Sequence, residues 1–188
     1  AFSVERNSKS PAIFDIEKLT WMNGVYIRNL SLEQFHELAL PHLQRAVKGS
    51  FDLMEISRIL QPRVSTLNDI EEMVDFFDTL PAYDNAMYTH KKMKTNAEIA
   101  LSSLKAARTV LACLLQWTEA AIHDALMEEI GRQGIKNGQM LWPVRTALSG
   151  KQFTPGGAIE IAHILGKEET LRRMDLGIEQ LSRQDQTA

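Results

Sequence analysis

Two arginines and one glycine-rich turn are the residues of this chain whose type and setting could do chemistry. Arg63 follows Pro62 just past the end of an amphipathic segment, and Arg145 closes the run Trp142-Pro143-Val144-Arg145. A guanidinium is an all-donor group in a rigid fork, so each arginine could read the acceptor edge of an unpaired base. Each could equally be a helix-end charge partner, and for Arg63 taken alone that is the stronger reading. Thr154-Pro155-Gly156-Gly157 reads as a helix start, with a Thr cap, a first-turn Pro and two glycines that each cost about 1 kcal/mol relative to Ala. Either a ligand approaches the N–H groups at the positive end of that helix, or the glycines let another helix pack tightly. From the residues alone, packing is the stronger of the two. Trp117, Trp142 and Phe153 could stack on bases, although most tryptophans in such a chain belong to the core.

Other chemistries lack their residues. His36, His42, His90, His123 and His163 are scattered, with neither a His-Glu-x-x-His pair nor accompanying cysteines, so metal-ligand spacing is absent. There is no Gly-x-Ser-x-Gly elbow, P-loop or dinucleotide fingerprint, and no active site is expected wholly within the chain. Cys113, the single cysteine, sits in the apolar run 109–115 and is expected to be a small buried hydrophobe.

Apolar residues make up 44% and charged residues 24% of the 188, the balance of a soluble globular protein. No apolar run approaches the roughly 18 residues of a membrane span, and the charged amino terminus has no signal core, so a cytoplasmic chain is expected. Ala1 in place of Met suggests a processed chain or an expressed fragment. The net charge of -3 announces no nucleic-acid binder, yet it is compatible with a local basic patch.

The elements that must position these residues are all helical, since apolar residues recur at three- and four-residue steps and no segment shows sustained strand alternation. Asp15 caps a first helix, with Gly24 as an interruption before Tyr26 and Ile27. Ser31 with Gln34 forms a capping box opening the second, which Pro41 kinks or divides. Asp52 with Glu55 opens the third, which Pro62 ends. Thr66 or Asn68 starts the next, with Ile70, Met73, Val74 and Phe77 on one face. Between Leu80 and Thr95 the period is lost amid Pro81, Asp84 and Asn85, and the basic cluster Lys91, Lys92 and Lys94 follows. This divides the chain into a first helical subdomain, 1–93, and a C-terminal one, 94–188.

Thr95 with Glu98 is expected to cap the longest helix, whose stripe Ala97, Ala100, Leu104, Ala107, Leu111 and Leu114 is core. Further helices start at Thr118, near Gln139, at Thr154-Pro155 and at Glu168, with stops at Gly131 or Gly134 and at Gly166.

Two long stretches are recognisable. Lys9-Ser10-Pro11-Ala12-Ile13-Phe14-Asp15-Ile16-Glu17-Lys18-Leu19, continued by Trp21-Met22-Asn23-Gly24 and Tyr26-Ile27-Arg28, resembles the segment after the catalytic loop of bacterial-type glutamyl-tRNA synthetases. Leu141-Trp142-Pro143-Val144-Arg145-Thr146-Ala147-Leu148-Ser149-Gly150, Thr154-Pro155-Gly156 and Ile164-Leu165-Gly166-Lys167-Glu168 resemble the C-terminal subdomain of that family, and Trp117-Thr118-Glu119 matches a landmark between them. Ser8-Lys9-Ser10 echoes the Lys-Met-Ser-Lys-Ser loop of class I synthetases only by coincidence, because the Lys-Met is missing and Pro11 follows.

The resemblance implies an all-α fold of two consecutive helical subdomains, an α-helix cage that binds the anticodon. The implied partner is the anticodon arm of tRNA(Glu), with no DNA, no membrane and no second subunit, so a monomer is expected. No cofactor is expected in this chain, since the adenylate-forming domain that would use ATP is not part of it, and ligase activity is not expected from the chain alone. By the resemblance, Arg63 matches the arginine used on the third anticodon base. Cytosine presents O2 and N3 acceptors there, whereas guanine presents N1–H and N2–H donors, so a guanidinium favours the glutamate anticodon over the glutamine one. Arg145, Thr154, Pro155 and Gly156 match anticodon-contacting positions, as does Gly157, where a larger apolar residue often stands. The alternative is a helical protein-interaction domain that keeps the synthetase fold without RNA recognition.

Overall fold

A computed structural model describes residues 15–185, with side chains as far as residue 183. Residues 1–14 carry Ala1, the Ser8-Lys9-Ser10 echo and the Lys9 to Phe14 part of the family-like stretch, and these lie outside the described residues. The described residues form nine α-helices: α1 (Ile16–Asn29), α2 (Leu32–Ala46), α3 (Leu53–Leu60), α4 (Ile70–Val74), α5 (Ala97–Ala112), α6 (Glu119–Gln133), α7 (Asn137–Ser149), α8 (Ala158–Leu165) and α9 (Lys167–Asp185). The only strand-like pairing among them is an isolated antiparallel bridge between His90 and Thr95.

Most helix starts follow their side-chain caps. The Asp15 carboxylate accepts from the Lys18 N–H, Ser31 and Gln34 exchange both bonds of a capping box, and Asp52 accepts from the Met54 and Glu55 N–H groups. Four expectations are corrected. Gly24 does not interrupt α1 but sits buried inside it, where a Cβ would come within 3.1 Å of the Ser65 hydroxyl. The cap of α5 is Asn96 rather than Thr95, because the Thr95 hydroxyl accepts from the His90 N–H in the bridge. Cys113 is exposed, because α5 ends at Ala112 and its buried stripe stops at Leu111. The start of α8 lies at Ala158 rather than at Thr154-Pro155.

Pro41 stands inside α2 without dividing it. Ala39 and Leu43 on either side are fully buried, and their packing outweighs the one backbone hydrogen bond that proline removes.

Among the helices before residue 80, α3 and α4 pack on α2, while α5 is the hub of the later ones, touching α6, α7 and α9. Their buried apolar residues run into one continuous core, from Phe35, Leu60 and Phe77 to Leu104, Val144 and Ile161. Polar ties cross between the two groups. Arg58 on α3 pairs with Glu119 on α6 at 2.6 Å, and Lys151 pairs with Asp75 at 2.6 Å.

The most buried of these ties has no counterpart in the sequence patterns. Arg173 on α9 is 1% exposed and donates to the carbonyls of Phe76, Phe77 and Leu148 at 2.7–3.2 Å, while its Nε donates to Glu169 at 2.6 Å. The hydrogen bond from Arg172, joined by that of Arg173, holds the Glu169 carboxyl down to about 2, below its ordinary 4.5. A carboxyl with a lowered folded-state value stabilises the fold above the unfolded value and loses that contribution as pH falls through the folded one. Denaturant melts across the window from 4.5 down to about 2 should therefore show a smaller acid-induced loss of stability in Glu169→Gln than in the native chain. Identical losses would exclude Glu169 as a contributor.

Candidate nucleic-acid interface

Arg63 is presented by a locked turn. Past the end of α3, the Gln61 amide donates to the carbonyls of Ile27 and Leu30 at 3.0 and 2.9 Å, fastening this turn to the end of α1. The Arg63 and Val64 N–H groups both donate back to the Leu60 carbonyl, and the Val64 side chain is fully buried. The backbone on both sides of Arg63 is thus fixed while its side chain is exposed.

Arg145 projects from α7, half-buried. Its guanidinium donates to the Thr154 hydroxyl at 3.1 Å and the Gln152 carbonyl at 2.9 Å, and lies 4.3 Å from the centre of the Trp142 ring. Its Nε is buried without a partner. Burial pushes the Arg145 guanidinium below the usual arginine range, and the positive charge of Arg63 pushes the same way. Two arginines far apart in sequence therefore share one electrostatic neighbourhood. Neither forms an ion pair among the described residues, so the excess positive field there is of the kind an anion or a ring of acceptors would relieve.

The Thr154-Pro155-Gly156-Gly157 turn precedes α8 instead of opening it: Gly157 is the cap in extended conformation and Ala158 the first helical residue. The two glycines thus carry no cost within a helical turn. Gly156 is buried, and a Cβ on it would lie 3.1 Å from Ile59 of α3, so close packing is what this glycine permits. The Thr154 hydroxyl donates to the Gly156 carbonyl at 2.7 Å while accepting from Arg145, which closes the turn around the guanidinium. Thr154, Pro155 and Gly156 are buried and Gly157 is partly exposed. With no side chain at Gly157, the first N–H groups of α8 have no side-chain cap.

Of these parts, Arg145 and Gly157 line a cleft of about 330 Å³ together with Met93, Gly138, Leu141, Trp142 and Ala158, and Arg63 is not among its lining residues. That volume is within the range of small-ligand clefts, about 300–1,000 Å³. The Trp142 indole N–H donates to the Met87 carbonyl at 2.9 Å, and the His90 ring lies 4.0 Å from the Trp142 ring. Trp142 is therefore fixed in place with part of its surface in the cleft. Trp117 is a packing residue, its indole N–H donating to the Ala162 carbonyl, and Phe153 is 81% exposed on the rim of a different hollow. Larger hollows at Leu80–Tyr83 against α9 and at Met73–Phe153 have volumes of about 470 and 560 Å³, but neither Arg63 nor Arg145 lines them.

Of the residues read from the sequence, Arg145 on α7 and the turn before α8 are brought into contact, while Arg63 after α3 bears on Arg145 only through its charge. The contributions of His90 and Met93 were missed, since only folding of the 90–95 turn onto α7 brings them to Trp142. The basic cluster around them was the available signal. No group of three or more His, Cys, Asp or Glu among the described residues is arranged to hold a metal ion, and no helix there is long and apolar enough to cross a membrane.

A family model for an anticodon binding domain matches residues 34–178. Over 180 residues the chain is 55% identical to a glutamate–tRNA ligase of Clostridium tetani, covering 96% of this chain and 37% of that protein. A glutamate–tRNA ligase of Clostridium acetobutylicum is 52% identical over 183 residues, 97% of this chain and 38% of that one. The chain therefore spans little more than a third of the length of these curated relatives. Among solved structures, a glutamate tRNA ligase from Elizabethkingia meningosepticum superposes with a TM-score of 0.77 at 23% identity, over 96% of this chain and 35% of that one, which establishes likeness of fold.

Proposed function

The chain belongs to the anticodon-binding domain family, and from that membership we propose that it reads the anticodon of tRNA(Glu) within a glutamate–tRNA ligase, whose ATP-dependent adenylate chemistry would reside elsewhere in that enzyme. The observation that carries this reading is Arg145, a guanidinium that has no carboxylate partner among the described residues and lines a cleft together with the Trp142 ring. Single-stranded RNA is recognised by such parts: a ring on which a base can stack, and fixed donors for its acceptor edge.

Each residue has a role in this reading. Arg63 donates to the O2 and N3 acceptors of the third anticodon base. Arg145 bears on another base of the anticodon, with the Trp142 ring beside it as a stacking surface. Thr154 holds the guanidinium, Pro155 is buried in the same turn, and Gly156 lets that turn lie against Ile59. Gly157 and the uncapped N–H groups after it offer backbone donors at the positive end of α8. Binding of this type needs no cofactor.

Fluorescence anisotropy with tRNA(Glu) and with the same tRNA carrying a swapped anticodon tests the reading. Tighter binding of the native anticodon is expected, and equal affinity for the two would remove anticodon recognition.

A further inference from the structure

The turn that carries Lys91, Lys92 and Lys94 remains outside the base-reading parts, and its construction is unusual for a surface loop. Lys94 has φ +56°, the one non-glycine residue with positive φ among the described residues, a conformation that side-chain-bearing residues rarely adopt. Three contacts hold it there. The His90–Thr95 bridge closes the base of the turn, the Gln139 amide donates to the Lys94 carbonyl at 3.3 Å, and the His90 ring packs on Trp142. Met93 at its tip lines the same cleft as Arg145, Trp142 and Gly157, and seats so closely over α7 that a Cβ on Gly138 would come within 2.8 Å of its sulfur. The flanking Lys91, Lys92 and Lys94 are exposed.

Some cations of the molecule are neutralised by carboxylates and others are not. Arg45, Arg58, Arg108, Arg132, Lys151 and Arg172 each pair with a carboxylate. Lys91, Lys92 and Lys94 have no such pair among the described residues, and neither does Arg145, which lines the cleft. Other lysines, Lys48 and Lys105 among them, also lack a carboxylate pair among the described residues, but these three are carried by the turn whose Met93 lines the cleft. Ammonium groups on flexible stems are point-charge ligands for phosphate and carry no base preference, whereas the guanidiniums and the ring supply the base-reading chemistry.

We propose that the Lys91–Lys94 turn holds the phosphodiester backbone of the RNA strand whose bases enter the Trp142 cleft. The inference rests on the reading of this cleft as an RNA site. Base contacts discriminate, while contacts to phosphate add affinity uniformly and make it salt-dependent.

The test compares Lys91→Gln/Lys92→Gln with Lys48→Gln/Lys105→Gln, two variants of equal charge loss, in the full 188-residue chain. Binding of an anticodon stem-loop RNA, of its anticodon-swapped version and of an RNA duplex without a loop is titrated against salt. The slope of log affinity against log salt should become shallower by about 0.7 for each lysine–phosphate pairing that the first variant removes, and stay as in the native chain in the second. The affinity ratio between native and swapped anticodons should be the same in the first variant as in the native chain. An unchanged slope in Lys91→Gln/Lys92→Gln overturns the inference, as does an equal flattening of the slope with the loop-free duplex. Equal native binding of the two stem-loops, together with a flattening confined to them, would instead sink anticodon reading and leave the phosphate contact standing.

Discussion

Arg173→Met is expected to destabilise the fold by about 3–5 kcal/mol. Methionine fills much of the volume but donates nothing to the carbonyls of Phe76, Phe77 and Leu148, which would be left in a site where the native side chain is 1% exposed. An unsatisfied buried acceptor bears the full cost of its lost hydration, about 1–3 kcal/mol each when no water can enter. Arg172→Met supplies the contrast. Arg172 also bonds Glu169, but its side chain is 54% exposed, so its removal should cost below about 1 kcal/mol. Urea denaturation of the two variants is the measurement, read as a shift in midpoint at constant slope. If Arg173→Met cost no more than Arg172→Met, its carbonyl bonds would not be what joins α9 to the segment ending at Phe77. The consequence for function follows from placement: Leu148 closes the same helix that presents Arg145, so the register of α7 against the first group of helices depends on this arginine.

Arg63→Gln is expected to reduce discrimination between the glutamate and glutamine anticodons by about 1–3 kcal/mol, or roughly 5- to 150-fold in the affinity ratio, by analogy with base-edge contacts in DNA. The guanidinium offers only donors, so it matches cytosine and clashes electrostatically with the N–H groups of guanine. A glutamine amide offers both a donor and an acceptor and can satisfy either base. The effect should fall on specificity and leave stability within about 0.5 kcal/mol, because Arg63 is exposed and its backbone, not its side chain, makes the bonds that fix the turn. Competition binding with the two anticodon stem-loops, alongside a thermal melt, separates the outcomes. A ratio that does not move would take Arg63 out of base reading, and a large drop in melting temperature would assign it a structural part instead.

Most helices were legible along the chain, because their signals are local. The capping box at Ser31 and Gln34, the stop at Pro62, the cap at Thr118 and the glycine turn at Gly134 each depend on residues within a few positions of one another, and each lies where expected. Two of the departures came where a competing contact used up the capping signal. Thr95 has the chemistry of a helix cap, but its hydroxyl is committed to His90, so Asn96 caps α5. Thr154 and Pro155 have the residue types of a helix start, but the Thr154 hydroxyl is committed to Arg145 and Gly156, and the helix begins later.

The sequence by itself determined the helical class, the boundaries of most helices and, through likeness to a family, which arginines are candidates for base reading. Only the tertiary structure decided that Arg63 and Arg145 share one electrostatic neighbourhood, that Trp142 is fixed between Met87, His90 and Arg145, and that Arg173 binds the two groups of helices from within. Periodicity and capping are set by neighbours along the chain and leave a mark in the order of residues. The burial of a charge, or the approach of two like charges, is set by how helices distant in sequence pack, and no local pattern records it.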